Sequence, residues 1–219
     1  MLDLLQQLID FILHIDKHLL EIVTDYQTWT YLILFAIIFC ETGLVVTPFL
    51  PGDSLLFAAG AISAMPGNPI DVNLLVPTLL CAAVLGDNSN YWIGHLIGDR
   101  VYEKNYKLIK RKYLDETHTF YEKHGKTTLI VARFMPIIRT FAPFVAGVGK
   151  MKYLRFFTFS LIGNILWVLS FTYAGNFFGN IPTIKQNFTL VVFAIIAISL
   201  VPPIYTFIKV KYFSSSKAS

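Results

Sequence analysis

Two apolar stretches of this chain are broken by proline, glycine and charge, and that limits its fold more than any other feature. The first contains TPFLPGDSLLFAAGAIS from Thr47, with Pro48, Pro51 and Gly52 between apolar flanks and Glu41 and Asp53 to either side of the prolines. The second runs from Thr128 to Gly149 and is interrupted by Arg133, Pro136, Arg139 and Pro143. Proline removes a helical hydrogen bond and crowds the turn before it. Irregular backbone at membrane depth survives only where it is buried in protein or lines a cavity. The two stretches, Gly43–Ala64 and 128–149, are therefore read as re-entrant hairpins, with Pro51, Gly52, Pro136 and Pro143 as the residues that shape them.

Composition places those hairpins in a membrane. The 219 residues are 55% hydrophobic and 15% charged, with a mean hydropathy of +0.58. A soluble domain holds roughly 45–50% apolar and about 25% charged residues. The expected class is an all-α polytopic membrane protein, one membrane domain over 1–219. The formal charge of +4 is the kind of excess that nucleic-acid binders carry. Here the basic residues sit in loops between apolar segments, as membrane topology requires, so no nucleic acid is expected. Cys40 and Cys81 lie in apolar stretches and read as small buried hydrophobes rather than a disulfide. The N-terminus, MLDLLQQLID, has acids where a signal peptide carries positive charge, so no cleavage is expected.

Along the chain, residues 1–25 repeat Leu and Ile at helical spacing between charges, an amphipathic helix lying on the membrane or on a partner. Residues 29–98 hold a first span, a hairpin opening outward and a second span over Val72–Ile97. Residues 99–127 form a basic segment with Lys110, Arg111 and Lys112 in succession. Residues 128–179 hold a hairpin opening inward and a span over Phe156–Phe178; 188–210 is the last span and 211–219 a tail. That makes about four spans with two opposed hairpins. Basic residues collect on the cytoplasmic side, which puts both termini and 99–127 in the cytoplasm.

The two broken stretches also echo one another. Phe49-Leu50-Pro51 is matched by Phe134-Met135-Pro136, and the run to Ala59-Gly60 by the run to Ala146-Gly147. Each is followed by a span ending in Gly-x-x-x-Gly, Gly94/Gly98 and Gly175/Gly179. Opposed copies of one motif are the pattern of inverted-repeat transporters, whose site lies where the repeats meet. The glycine spacing permits a homodimer and equally serves packing within one chain.

Glu41, Asp53, Arg133 and Arg139 are ionisable residues inside otherwise apolar segments. Each costs roughly 2.5–3.5 kcal/mol at mid-membrane on insertion scales, so such residues serve function or pair with one another. If the hairpin tips meet, two carboxylates face two guanidiniums. Paired arginines make a planar fork that suits a phosphate or carboxylate. Carboxylates away from water take up protons unless paired, and so can release the arginines to an anion. Arg133 and Arg139 are accordingly expected to bind phosphate, and Glu41 and Asp53 to couple protons. The competing reading is a salt-bridge cluster that only fastens the hairpins. Asp87 and Asn90, early in the second span, either bond across helices or extend the polar site. His95 reads as a packed or interfacial residue. His118 and Glu122 share a helix face but lack a third ligand, so no metal and no cofactor are expected. Ser54 has no neighbouring histidine and no Gly-x-Ser-x-Gly occurs, so an enzyme is not expected.

The run Glu41-Thr-Gly with Pro48-Phe-Leu-Pro51-Gly52-Asp53-Ser54, and later Arg133-Phe-Met-Pro136-Ile-Ile-Arg139-Thr140-Phe-Ala-Pro143, resembles the signature motifs of the DedA family of bacterial inner-membrane proteins. The resemblance runs from the N-terminal helix into the last span. It implies two opposed re-entrant hairpins, a fold shared with eukaryotic lipid scramblases of the same superfamily. It implies membrane lipid transport, with undecaprenyl phosphate as the proposed cargo of some members. Other members resemble proton-dependent transporters that support drug and pH tolerance. Family-essential acids match Glu41 and Asp53, and family-essential arginines match Arg133 and Arg139. The leading expectation is a flippase for a polyprenyl phosphate, with protons as partner. A proton-coupled carrier for a small solute or cation is the rival, and a structural scaffold the third reading.

Overall fold

The computed structural model describes residues 25–44, 52–104 and 128–179, with Val23, Ile181, Val191 and Ala194 as single positions. The expected N-terminal amphipathic helix, the Pro48–Pro51 tip, most of the basic segment, His118 and Glu122, and nearly all of the last span lie outside the described residues. Within them the fold is all-helical. After a 3-10 turn, Gln27–Trp29, come α1 (Thr30–Gly43), α2 (Gly52–Ser63), α3 (Val72–Lys104), α4 (Pro136–Val148) and α5 (Tyr153–Phe178). A helical stretch at 128–132 leads into a break at 133–135 ahead of α4.

Local chemistry sets the boundaries. Asp71 caps α3, its Oδ1 accepting the Asn73 N–H at 2.8 Å. Pro136 opens α4, where its missing N–H costs nothing. Pro143, expected to break the chain, instead lies within α4, and the helix runs through it. Its ring leaves the Arg139 carbonyl without a helical donor, so it loosens the turn beside Arg139 without ending it. Two spans are longer than expected: α3 continues past Ile97 to Lys104, and α5 starts at Tyr153 rather than Phe156.

Length separates the helices into two kinds. The 33 residues of α3 and the 26 of α5 reach about 50 and 39 Å, enough for a hydrocarbon core of ~30 Å. The 12 residues of α2 and 13 of α4 reach only about 18 and 20 Å. The surface is apolar: Leu154, Phe177, Trp29 and Leu96 stand 76, 72, 68 and 59% exposed. Meanwhile Glu41, Asp53, Asp87, Asn90, Arg133 and Arg139 are buried. Large side chains outside and charge inside is the arrangement that lipid, not water, stabilises. Cys81, expected to be buried, faces outward; Cys40 is half-buried, and neither forms a disulfide.

The short helices cross over. The main partner of α2 is α5, and the main partner of α4 is α3, so each short helix packs on the long helix of the other half. Glycines make both crossings close. A Cβ on Gly60 would collide with the Thr172 carbonyl, and one on Gly175 with the Phe57 carbonyl. The second crossing repeats the first: a Cβ on Gly147 would collide with the Tyr91 carbonyl, and one on Gly94 with that of Phe144. Gly98 meets Val148 as Gly179 meets Ala61. Both Gly-x-x-x-Gly motifs are thus used for packing inside the chain.

Candidate functional site

The ends of the broken segments converge between the crossings. Glu41 lies in the last turn of α1 and Asp53 in the first turn of α2, on either side of the 45–51 connection. Arg139 lies in the first turn of α4. Its two terminal nitrogens take separate partners, Nη1 donating to Asp53 Oδ1 and Nη2 to Glu41 Oε1. The Gly52 N–H donates to the same Glu41 oxygen at 3.3 Å. A side chain at residue 52 would collide with the Glu41 carboxylate, which is why glycine precedes Asp53.

Trp167 of α5 completes this half. Its indole Nε1 donates to Asp53 Oδ1 at 2.7 Å, and the Arg139 Cζ lies 4.8 Å from its ring centroid. A desolvated guanidinium over an indole gains ~2 kcal/mol. Trp167 therefore holds an acid and its arginine together.

Arg133 does not join Glu41 and Asp53 in this closed arrangement. From the break at 133–135 its Nη2 pairs with Asp87 Oδ2 on α3. The same Asp87 oxygen accepts from Ser160 Oγ and from Asn164 Nδ2, the latter at 3.0 Å. Asn90, one turn along α3, donates to the Thr42 carbonyl at 3.0 Å and the Thr140 carbonyl at 2.6 Å. It thereby ties the backbone beside Glu41 to the backbone beside Arg139. Asp87 and Asn90 both extend the polar centre and bond across helices, so the two readings offered for them coincide. His95 stacks with Tyr91, ring centroids 6.0 Å apart, beside the crossing of α3 and α4.

Sequence reading missed Trp167, Ser160 and Asn164. Asn164 and Trp167 stand four and seven residues after Ser160 on one helix face, and polar groups at i and i+4 within an apolar span were the available signal.

The centre is closed and short of positive charge. Among the described residues, Glu41, Asp53 and Asp87 face only Arg133 and Arg139 there. Between the two arginines runs a narrow cleft of about 180 Å³ lined by Leu129, Ala132, Ala142, Pro143 and Ser160, too thin to seat a water molecule. Glu41 Oε2, Asp87 Oδ1, Arg133 Nη1, Arg139 Nε and Asn164 Oδ1 are buried without a hydrogen-bond partner among the described residues. Such atoms are costly, and two of them, Arg133 Nη1 and Arg139 Nε, belong to residues that line the cleft.

A model of the VTT domain matches residues 50–177, spanning α2 to α5. Protein DedA of Escherichia coli K12 is 55% identical over 211 residues, 96% of each chain. The chain belongs to the DedA family. More distant members include an uncharacterized membrane protein of Mycobacterium tuberculosis, 44% identical over 77% of this chain and 74% of its own. The inner membrane protein YghB of Escherichia coli is 30% identical over 93% of this chain and 92% of its own. No solved structure matches. As a DedA-family protein the chain is a membrane protein, in keeping with its exposed apolar surface.

Proposed function

We propose that this DedA-family protein moves a polyprenyl phosphate, undecaprenyl phosphate foremost, from the outer to the inner leaflet of the bacterial cytoplasmic membrane. The observation that carries the reading is two buried arginines, on either side of a closed cleft, each neutralised by the protein's own carboxylates. A fork that grips two carboxylate oxygens also grips two phosphate oxygens. Glu41 and Asp53 then act as internal stand-ins for the headgroup, and exchange protons as they yield Arg139 to it.

In this mechanism 43–64 and 128–149 enter the membrane as opposed hairpins, with about four spans around them and both termini in the cytoplasm. Pro51, Gly52, Pro136 and Pro143 shape the hairpins so that charge meets charge, and the prenyl tail stays in lipid. The protein acts as a transporter rather than an enzyme, with no cofactor. The excess of carboxylates over arginines favours a second reading, a proton-coupled carrier for a small solute or cation.

Leaflet exposure of undecaprenyl phosphate in reconstituted vesicles tests the proposal, with ordinary phospholipids in parallel. Movement of the polyprenyl lipid alone supports a selective flippase, and movement of every lipid makes the protein a scramblase. No movement by folded protein, with solute flux under a pH gradient, replaces the proposal with the second reading.

A further inference from the structure

We propose that Arg133, Ser160 and Asn164 form a distinct oxyanion seat, in which the Asp87 carboxylate occupies the position of one oxygen of a phosphate monoester. The inference rests on the phosphate reading above and adds to its Arg133 three residues which that reading did not use, Asp87, Ser160 and Asn164. Three donors from two separate parts of the fold converge on one atom, Asp87 Oδ2: Arg133 Nη2, Ser160 Oγ and Asn164 Nδ2. A charged fork, a hydroxyl and an amide around one oxygen match the donor set that oxyanions take.

The surroundings separate this seat from a fastening salt bridge. Arg133 and Ser160 line the cleft that also reaches Arg139. Arg133 Nη1 and Asp87 Oδ1, the second atoms of the paired guanidinium and carboxylate, are buried and have no hydrogen-bond partner among the described residues. A salt bridge evolved for fastening would be expected to satisfy both ends. The Arg133 stem leaves no slack: a Cβ on Gly163 would approach its Cγ to 2.9 Å, so the guanidinium is held against α5 between Ser160 and Asn164. The charges facing Asp87 are Arg133 directly and Arg139 across the cleft, with Glu41 and Asp53 beyond Arg139; α5 contributes only neutral groups. A headgroup entering the cleft therefore competes with Asp87 for Arg133 and with Glu41 and Asp53 for Arg139. A phosphate monoester offers three terminal oxygens, one more than a carboxylate, and so can meet both arginines at once.

The test is equilibrium binding to detergent-purified protein of a short-chain polyprenyl phosphate, with inorganic phosphate and the corresponding polyprenyl alcohol as parallel probes. Asp87→Asn keeps the shape and removes the competing charge, so it should bind the phosphate lipid about tenfold more tightly than the native protein. Ser160→Ala and Asn164→Leu should each bind it about tenfold more weakly, with little change for the alcohol. Binding of inorganic phosphate with the same pattern assigns the seat to phosphate in general, and a response confined to the lipid assigns it to the headgroup with its tail. Thermal unfolding of each variant is followed alongside, and a conservative Asn164→Gln should recover part of the affinity. Native affinity in all three variants, with the native protein binding well, overturns the seat and leaves the phosphate reading standing. Looser binding by Asp87→Asn in a protein of native melting temperature also overturns it. A native protein that binds neither phosphate probe overturns both.

Discussion

Arg139 is the residue on which the site turns, because its two terminal nitrogens reach acids contributed by two different helices. Lysine keeps the charge but carries it on one nitrogen, so it cannot reproduce the fork that holds the two acids from separate atoms. Arg139→Lys should lose one charge-assisted hydrogen bond, worth ~1.5–3 kcal/mol, and slow lipid movement by about 10- to 100-fold. Transport rates of purified variants in vesicles check this, and a native rate would mean that the fork is not used. Gly52→Ala should be as damaging for a different reason, since the added methyl lands on the Glu41 carboxylate; circular dichroism would separate misfolding from a site that is merely displaced. At this scale the sequence exposed the charged residues well, since ionisable groups are rare in apolar segments. It did not reveal which acid meets which arginine. Asp87 lies among Gly86, Asn88 and Asn90, in a polar patch that sets no partner, and only the position of the 133–135 break sends Arg133 to α3.

At the scale of elements, the exchange of short helices between halves makes the fold one unit. The echo between Gly60 and Gly147, and between Gly94/Gly98 and Gly175/Gly179, was legible as spacing. The pairing of α2 with α5 and of α4 with α3 was not, because a glycine stripe does not name its partner. Close crossings of this kind tolerate no added bulk. Gly175→Val and its counterpart Gly94→Val should each cost ~1–3 kcal/mol or more through overpacking, read as a lower melting temperature in detergent. Unchanged melting in both would mean that the helices are not in close contact. Asn90→Leu should also lower the melting temperature, by about 1–3 kcal/mol of lost stability, because the two side-chain hydrogen bonds that tie the Thr42 and Thr140 carbonyls together are lost. It should further slow transport by loosening the register between Glu41 and Arg139, whereas a mere loss of stability would leave the rate per folded molecule unchanged.

For the whole molecule, polarity is inverted relative to a soluble protein: the outside is apolar and the centre holds three acids and two arginines, all at most 5% exposed. Composition made that class legible before any contact was known. The cleft is closed, so in the proposed mechanism the acids and arginines must part to admit a headgroup, and that parting is the step at which transport would couple to proton exchange. The most direct measurement is the rate of leaflet exchange of undecaprenyl phosphate in vesicles holding the native protein, set against vesicles holding Arg133→Ala with Arg139→Ala. The proposed mechanism predicts fast exchange with the native protein and a rate near that of empty vesicles with the double variant. Equal rates for the two folded proteins would contradict it.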